Sequence, residues 1–188
     1  MGTRGLYGFR KNGEDKTTYC HYDSYPDGLG RSMIEFIQEY GLDLNDIYKR
    51  IILVDEDSKP TERQIKECKN LADLSVSEKS LEDWYCLLRN AQGNPKMYGQ
   101  GLRYMIDNKN FILDSLFCEY AYIINLDTKK LEIYKGFQHV PDESNIYGCE
   151  ANSEGYYPCK LAYVIDLLDV IRCQNNDGLI RQIEKALK

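Results

Sequence analysis

The sequence predicts a single α+β domain over residues 1–188, and three observations predict it. Strand-like runs with tight turns lie near both ends, helical spacing dominates between them, and 188 residues is one domain's length. A chain of this size buries roughly 70% of the surface its unfolded form exposes, enough for one core. The expected arrangement is an antiparallel sheet drawn from the N- and C-terminal halves, with the central helical segment packed on one face.

The first strands are Gly5–Arg10 and Asp15–Tyr22, flanking Lys11, Asn12, Gly13 and Glu14. Asn-Gly supplies the two positive-φ residues of a type I′ turn, so the hairpin has a two-residue loop and a fixed register. Lys11 then faces Glu14 and Leu6 faces Tyr19. Continued outward, the same register sets Arg4 opposite His21 and Gly2 opposite Asp23, with Arg4, His21 and Asp23 on one face. A Pro26-Asp27-Gly28 turn follows, and Met33, Ile34, Phe36, Ile37 and Tyr40 form a helix that Gly41 ends as a C′ residue.

Leu44, Ile47, Tyr48, Ile51 and Ile52 continue a helical stripe, and residues 55–60 read as a solvated turn. Thr61 and Gln64 form a capping box for a helix bearing Ile65, Cys68 and Leu71. Ser80 caps another, with Leu81, Trp84, Leu87, Leu88 and Ala91. Residues 94–117 are interrupted by Pro95, Gly99 and Gly101 and predict an irregular, partly buried connection, with helical spacing confined to Leu102–Ile106.

A second hairpin is predicted from Tyr120–Asn125 and Leu131–Lys135, turning at Asp127–Lys129, and residues 136–158 form a long loop. Residues 161–171 fit a helix face and a strand equally by periodicity; a strand over 159–165 followed by a turn is the preferred reading. Asp177 caps a terminal helix with Leu179, Ile180, Ile183 and Leu187.

Composition narrows the functions. A formal charge of −6 argues against general nucleic-acid binding, and no apolar run reaches bilayer length, so no membrane role is expected. The start lacks a secretory pattern, which predicts a cytoplasmic protein. Seven cysteines at irregular spacings, without C-x-x-C, predict neither a disulfide framework nor a metal site, and no cofactor motif is present.

Arg4, His21 and Asp23 are the one predicted convergence of ionisable groups. Arg4 could recognise a phosphate or carboxylate while His21 moves a proton and Asp23 orients it; the plainer reading is an Arg4–Asp23 ion pair that tethers the first strand. Gly28 and Gly30 precede a helix start whose backbone N–H groups could hold an anion, although a tight turn requires glycine anyway. Tyr25 belongs to a tyrosine-rich turn with Tyr19 and Tyr22, and Tyr147, Tyr156 and Tyr157 enrich the late loop; both suit a recognition surface. Cys20 and His21, adjacent on a strand, point to opposite faces and form no dyad. Pairing of His139 with Cys149 or Cys159 has no geometry in the sequence.

The opening Met1–Gly5 and the run Tyr19–Gly30 resemble a group of small bacterial, phage and fungal proteins with the pattern M-[GS]-T-R-[GS], then Y-x-H-x-D-[GS]-Y-P-x-G-L-G. Tyr120–Asp127 with Leu131–Tyr134 is similar to the group's second hairpin. No activity is attached to the group, so the resemblance implies a site at Thr3, Arg4, His21, Asp23 and Tyr25 without a reaction. The expected function is a non-enzymatic binding protein, of phage or mobile-element origin, for a macromolecular partner or a small anionic ligand. The alternative is a small hydrolase similar to N-terminal-nucleophile amidohydrolases. In that alternative Gly2, exposed on loss of Met1, has no side chain to attack with.

Overall fold

The computed structural model describes residues 2–188 and is an α+β fold about a five-stranded mixed sheet. β1 (Gly5–Lys11) and β2 (Glu14–Cys20) form the first hairpin, with Lys11 opposite Glu14 and Leu6 opposite Tyr19 as the loop length requires. Asn12 and Gly13 have φ of 53° and 74°, the left-handed pair of a type I′ turn. β5 (Tyr120–Asn125) and β6 (Lys130–Lys135) form the second hairpin, and β7 (Lys160–Asp166) closes the order β2-β1-β5-β6-β7.

One junction departs from the all-antiparallel expectation: β1 and β5 run parallel, with Gly5 beside Tyr120 and Arg10 beside Asn125. A parallel pair needs a long crossover, and the whole middle of the chain supplies it. Both strands are covered on two faces, which is why Ala121, Tyr122, Ile123 and Ile124 are buried consecutively rather than alternately.

One face of the sheet packs against α1 (Arg31–Tyr40), α2 (Leu44–Arg50), α6 (Leu167–Arg172) and α7 (Asn176–Ala186). Tyr7, Phe9, Tyr122, Ile124 and Ile133 meet Met33, Ile34, Phe36, Ile37, Val170 and Ile183 there. Helices from both halves therefore cover this face, not the central segment alone. The strand preferred over 159–165 is present, but a helix follows it where a turn was expected. Gly41 is also different: its φ of −54° is right-handed, and a side chain there would lie 2.5 Å from Ile171 Cδ1, so close packing of α6 explains the glycine.

The middle is less helical than its spacing predicts. β3 (Ile52–Val54) and β4 (Tyr104–Ile106) form a separate two-stranded parallel sheet, so Ile52 and Leu102–Ile106 are not helical. The Thr61 capping box opens α3 (Glu62–Cys68) as expected, with Thr61 N–H donating to Gln64 Oε1 at 2.8 Å. α4 (Trp84–Leu87) is capped by Asp83 instead of Ser80, and α7 by Asn175 instead of Asp177. α5 (Lys96–Gly99) is a single turn. Trp84, Leu87, Leu88, Tyr104 and Ile106 close a smaller core around the two-stranded sheet. No described helix is long and apolar enough to cross a membrane.

The other face of the main sheet carries a buried polar cluster centred on Arg10. Its guanidinium donates to Asp15 at 2.7 and 3.0 Å, to Glu132 at 2.8 Å and to Tyr134 at 3.3 Å, and also meets the Tyr147 hydroxyl. Tyr147 donates to Asp15 at 2.6 Å, Tyr134 to Glu132 at 2.7 Å, and Asn125 to Glu132 at 2.8 Å. Four strands and the late loop thus share one ion cluster. Removing its only cation leaves two buried carboxylates uncompensated. Arg10→Met should lower the unfolding free energy by about 3–5 kcal/mol in urea titrations. Adding Asp15→Asn and Glu132→Gln to that variant should restore part of the loss.

Candidate functional site

The β1–β2 ladder ends at the pair Gly5–Cys20, and the chain then leaves the register extended from it. Asp23 takes a φ of 54°, and Ser24 N–H donates to the Thr3 carbonyl at 3.1 Å, where the unbroken register would have put Tyr22. This irregularity separates the predicted trio. Asp23 is exposed and faces a cavity of about 490 Å³ together with His21, Tyr22, Gly28 and Arg89. Arg4 instead lines a cavity of about 300 Å³ with Tyr19, Tyr85, Gln92, Phe111 and Phe117. Among the described residues Arg4 forms no ion pair with Asp23. The tether of the first strand is made by backbone: Arg4 N–H donates to Glu119 Oε1 at 3.3 Å, and Glu119 N–H to the Arg4 carbonyl at 3.0 Å.

Gly28 and Gly30 have structural duties. The N–H groups of Gly28, Leu29 and Gly30 all donate to carbonyls of Tyr25 or Asp23, so they are spent within the turn and do not form an anion cradle. A Cβ on Gly28 would lie 2.0 Å from the Asp23 carbonyl oxygen, and one on Gly30 would lie 3.0 Å from the Tyr122 ring. Tyr122 in turn donates its hydroxyl to the Ser24 carbonyl at 3.0 Å, fastening the turn to β5. Tyr25 is 42% exposed and lines neither cavity.

His21 lines the larger cavity and its partner Tyr19 the smaller, and two arginines act on its charge. The Arg89 guanidinium sits 5.1 Å from the Tyr22 ring and 5.5 Å from the Tyr85 ring, and donates to Gln92 Oε1. The Arg4 guanidinium sits 5.2 Å from the Phe117 ring. Neither meets a carboxylate within ion-pair distance among the described residues, whereas Arg31, on the rim of the larger cavity, is held by Asp27 and Asp177. Burial lowers the His21 pKa below the ordinary 6.5, and the nearby charges of Arg89 and Arg4 lower it further. The Tyr19 hydroxyl lies 2.7 Å from His21 Nδ1, and burial pushes its pKa up to about 12. The phenol therefore stays protonated, and it shares one hydrogen bond with the His21 ring.

The site thus has one guanidinium group on aromatic rings at each cavity, both acting on the charge of His21; Asp23, Asp27 and Glu35 line the larger cavity and Glu56 the smaller, none within ion-pair distance of Arg4 or Arg89 among the described residues. Arg89, Tyr85, Gln92, Phe111 and Phe117 were not among the residues singled out from sequence. The Tyr85–Arg89 spacing of i, i+4 was the readable signal for two of them. Phe111 and Phe117 arrive through long-range folding and carry none.

The alternatives weighed for nucleophiles find little activation. Burial raises the Cys20 thiol pKa, and its Sγ donates to the Tyr22 carbonyl at 3.0 Å. Cys159 is buried and donates to the Cys118 carbonyl at 3.2 Å, while His139 packs on Tyr156 with ring centroids 4.4 Å apart. In the late loop the Tyr147 hydroxyl is engaged by Asp15 and Arg10. No group of three or more His, Cys, Asp or Glu is placed to hold a metal among the described residues.

By its topology this is an α+β domain with a central parallel strand pair, and its candidate site is an arginine-flanked histidine. No protein-family model, curated protein or solved structure matches the chain.

The lowered His21 pKa has a sign that stability measurements read. As pH falls, the unfolded chain takes up the histidine proton first, near 6.5, while the folded site resists it. The stabilising contribution is complete above that value and is lost through the window between it and the lower folded-state pKa. His21→Gln should therefore lose less stability than the parent on acidification from pH 7 to about pH 5, in urea titrations at stepped pH.

Proposed function

We propose that this chain is a non-enzymatic cytoplasmic binding protein that takes a small anionic ligand near His21, with Arg89 on the larger cavity and Arg4 on the smaller supplying the positive charge. One observation carries the reading: in a chain of net charge −6, two partly buried guanidinium groups, neither within ion-pair distance of a carboxylate among the described residues, both act on a single imidazole. Carboxylate and phosphate groups are the natural counterparts of an arginine fork. Tyr19, Tyr85, Phe111 and Phe117 around Arg4 favour a ligand that carries a flat apolar group beside its charge.

Cavities of about 300 and 490 Å³ are on the scale of small-molecule sites, which favours such a ligand over a macromolecular partner. The net negative charge speaks against a polyanion. Cytoplasmic residence is supported by the irregular cysteine spacing. A phage or mobile-element origin rests on the N-terminal resemblance alone.

Phenyl phosphate and inorganic phosphate are suitable probes. Phenyl phosphate should bind the more tightly by calorimetry, and should raise the melting temperature in a concentration-dependent way. Arg4→Gln and Arg89→Gln should each weaken it about 10- to 100-fold. Asp23→Asn should leave binding as it was or improve it. No heat and no thermal shift with either probe would sink the proposal.

A further inference from the structure

Arg4 shares its cavity of about 300 Å³ with one carboxylate, Glu56, in the exposed turn that follows β3. The two side chains line the same space yet lie too far apart to pair with each other, and neither is in an ion pair elsewhere among the described residues. The lysines nearest Glu56 and its neighbour Asn108 in sequence are already taken, Lys59 by Glu82 at 2.9 Å and Lys109 by Asp107 at 3.1 Å. One cavity therefore holds a positive and a negative group, each without a counter-charge.

Glu56 is positioned although it is exposed. Asn108 Nδ2 donates to Glu56 Oε2 at 3.1 Å, and the other end of that amide is fixed by β2, where Asn108 Oδ1 accepts from Tyr19 N–H at 3.1 Å and from Thr18 Oγ1 at 3.4 Å. With its oxygen held by the strand, the amide can offer Glu56 only its N–H₂ side. At the other pole the Arg4 guanidinium rests 5.2 Å from the Phe117 ring, and the Arg4 backbone is bound to Glu119.

The rest of the wall is largely aromatic. Tyr19 and Phe111 meet edge to face with ring centroids 5.0 Å apart, and Tyr85 and Phe117 line the same cavity. Burial is the main influence on the Tyr19 and Tyr85 phenols and raises both pKa values; Arg4 draws Tyr19 back, while Glu56 adds to the rise at Tyr85 against the opposing charge of Arg89. The two poles thus act on different rings of one wall.

This arrangement discriminates among ligands by charge. A simple anion would satisfy Arg4 and leave its own charge in one cavity with Glu56, a like-charge juxtaposition that costs affinity. A simple cation would satisfy Glu56 and meet the same objection at Arg4. A ligand with both charges satisfies both poles, and an ammonium group is also favoured by the faces of tyrosine and phenylalanine rings.

We propose that the ligand of the smaller cavity is an aromatic zwitterion, with a phosphate or carboxylate at Arg4, a protonated amine at Glu56 and a flat ring between them. The proposal rests on Arg4 as an anion anchor and narrows the class of ligand that the anchor serves. Calorimetry on the full chain near neutral pH compares 4-(2-aminoethyl)phenyl phosphate with 4-propylphenyl phosphate, which has the same shape and no amine. The amine ester should bind about tenfold more tightly. Glu56→Gln keeps an acceptor for Asn108 but removes the charge; it should erase that preference and leave the propyl ester's affinity within about twofold of the parent's. Arg4→Gln should weaken both esters.

Equal affinity of the parent chain for the two esters would overturn the zwitterion and leave the anion anchor standing, as would a preference for the amine that survives Glu56→Gln. If neither of these esters nor phenyl phosphate binds, the anchor itself falls and the zwitterion with it. Should Glu56→Gln fail to fold, as judged by circular dichroism, the parent's preference between the two esters decides the question.

Discussion

The parallel contact between β1 and β5 is the constraint on which the rest of the structure depends. It obliges the chain to cross from one end of the sheet back to its start, and the crossover is what carries Tyr85, Arg89, Phe111 and Phe117 to the first hairpin. β1 is buried on both faces as a result. Leu6 and Arg10 point to one side, Tyr7 and Phe9 to the other, and each side had to find its own covering layer. The helices serve the Tyr7 side, while the Lys109–Leu113 turn and the late loop serve the Leu6 side.

Two uses of arginine separate structure from function. Arg10 is 7% exposed and fully engaged; hydrogen bonding to Asp15 outweighs the cost of its burial and keeps its pKa high. Burial also raises the Tyr147 pKa, so that hydroxyl stays protonated as a donor to Asp15. Arg4 and Arg89 rest on aromatic faces, and no carboxylate lies within ion-pair distance of either among the described residues. A cation with its counter-charges in place is finished as a structural element; one without them is a binding determinant when it faces a cavity.

Much of the fold was legible because local chemistry dictated it. The Asn12–Gly13 turn fixed a register that held for every pair from Lys11–Glu14 to Gly5–Cys20. The Thr61–Gln64 box opened its helix, and Tyr120–Asn125 and Leu131–Lys135 paired as read. What failed was extrapolation and short range. The register broke at Asp23, whose left-handed backbone no pattern of polarity foretells. Ile52–Val54 and Tyr104–Ile106 are too short to show a period. Asp83 and Asn175 displaced nearby polar residues as helix caps. At the site, His21 and Asp23 kept a common cavity while Arg4 lines another, because the chain leaves the ladder register after Cys20. Arg89 lies far away in sequence, and folding alone unites it with them.

The central claim, that Arg4 and Arg89 act together on the His21 imidazole and are free to take an anion, is tested most directly by NMR titration of the two histidines. His139 serves as the internal control. In the free protein the His21 ring should titrate below the ordinary histidine range. Saturation with phenyl phosphate should move its midpoint upward, since the bound charge offsets Arg4 and Arg89. A His21 midpoint that is already ordinary, or one that the anion leaves in place, would contradict the account.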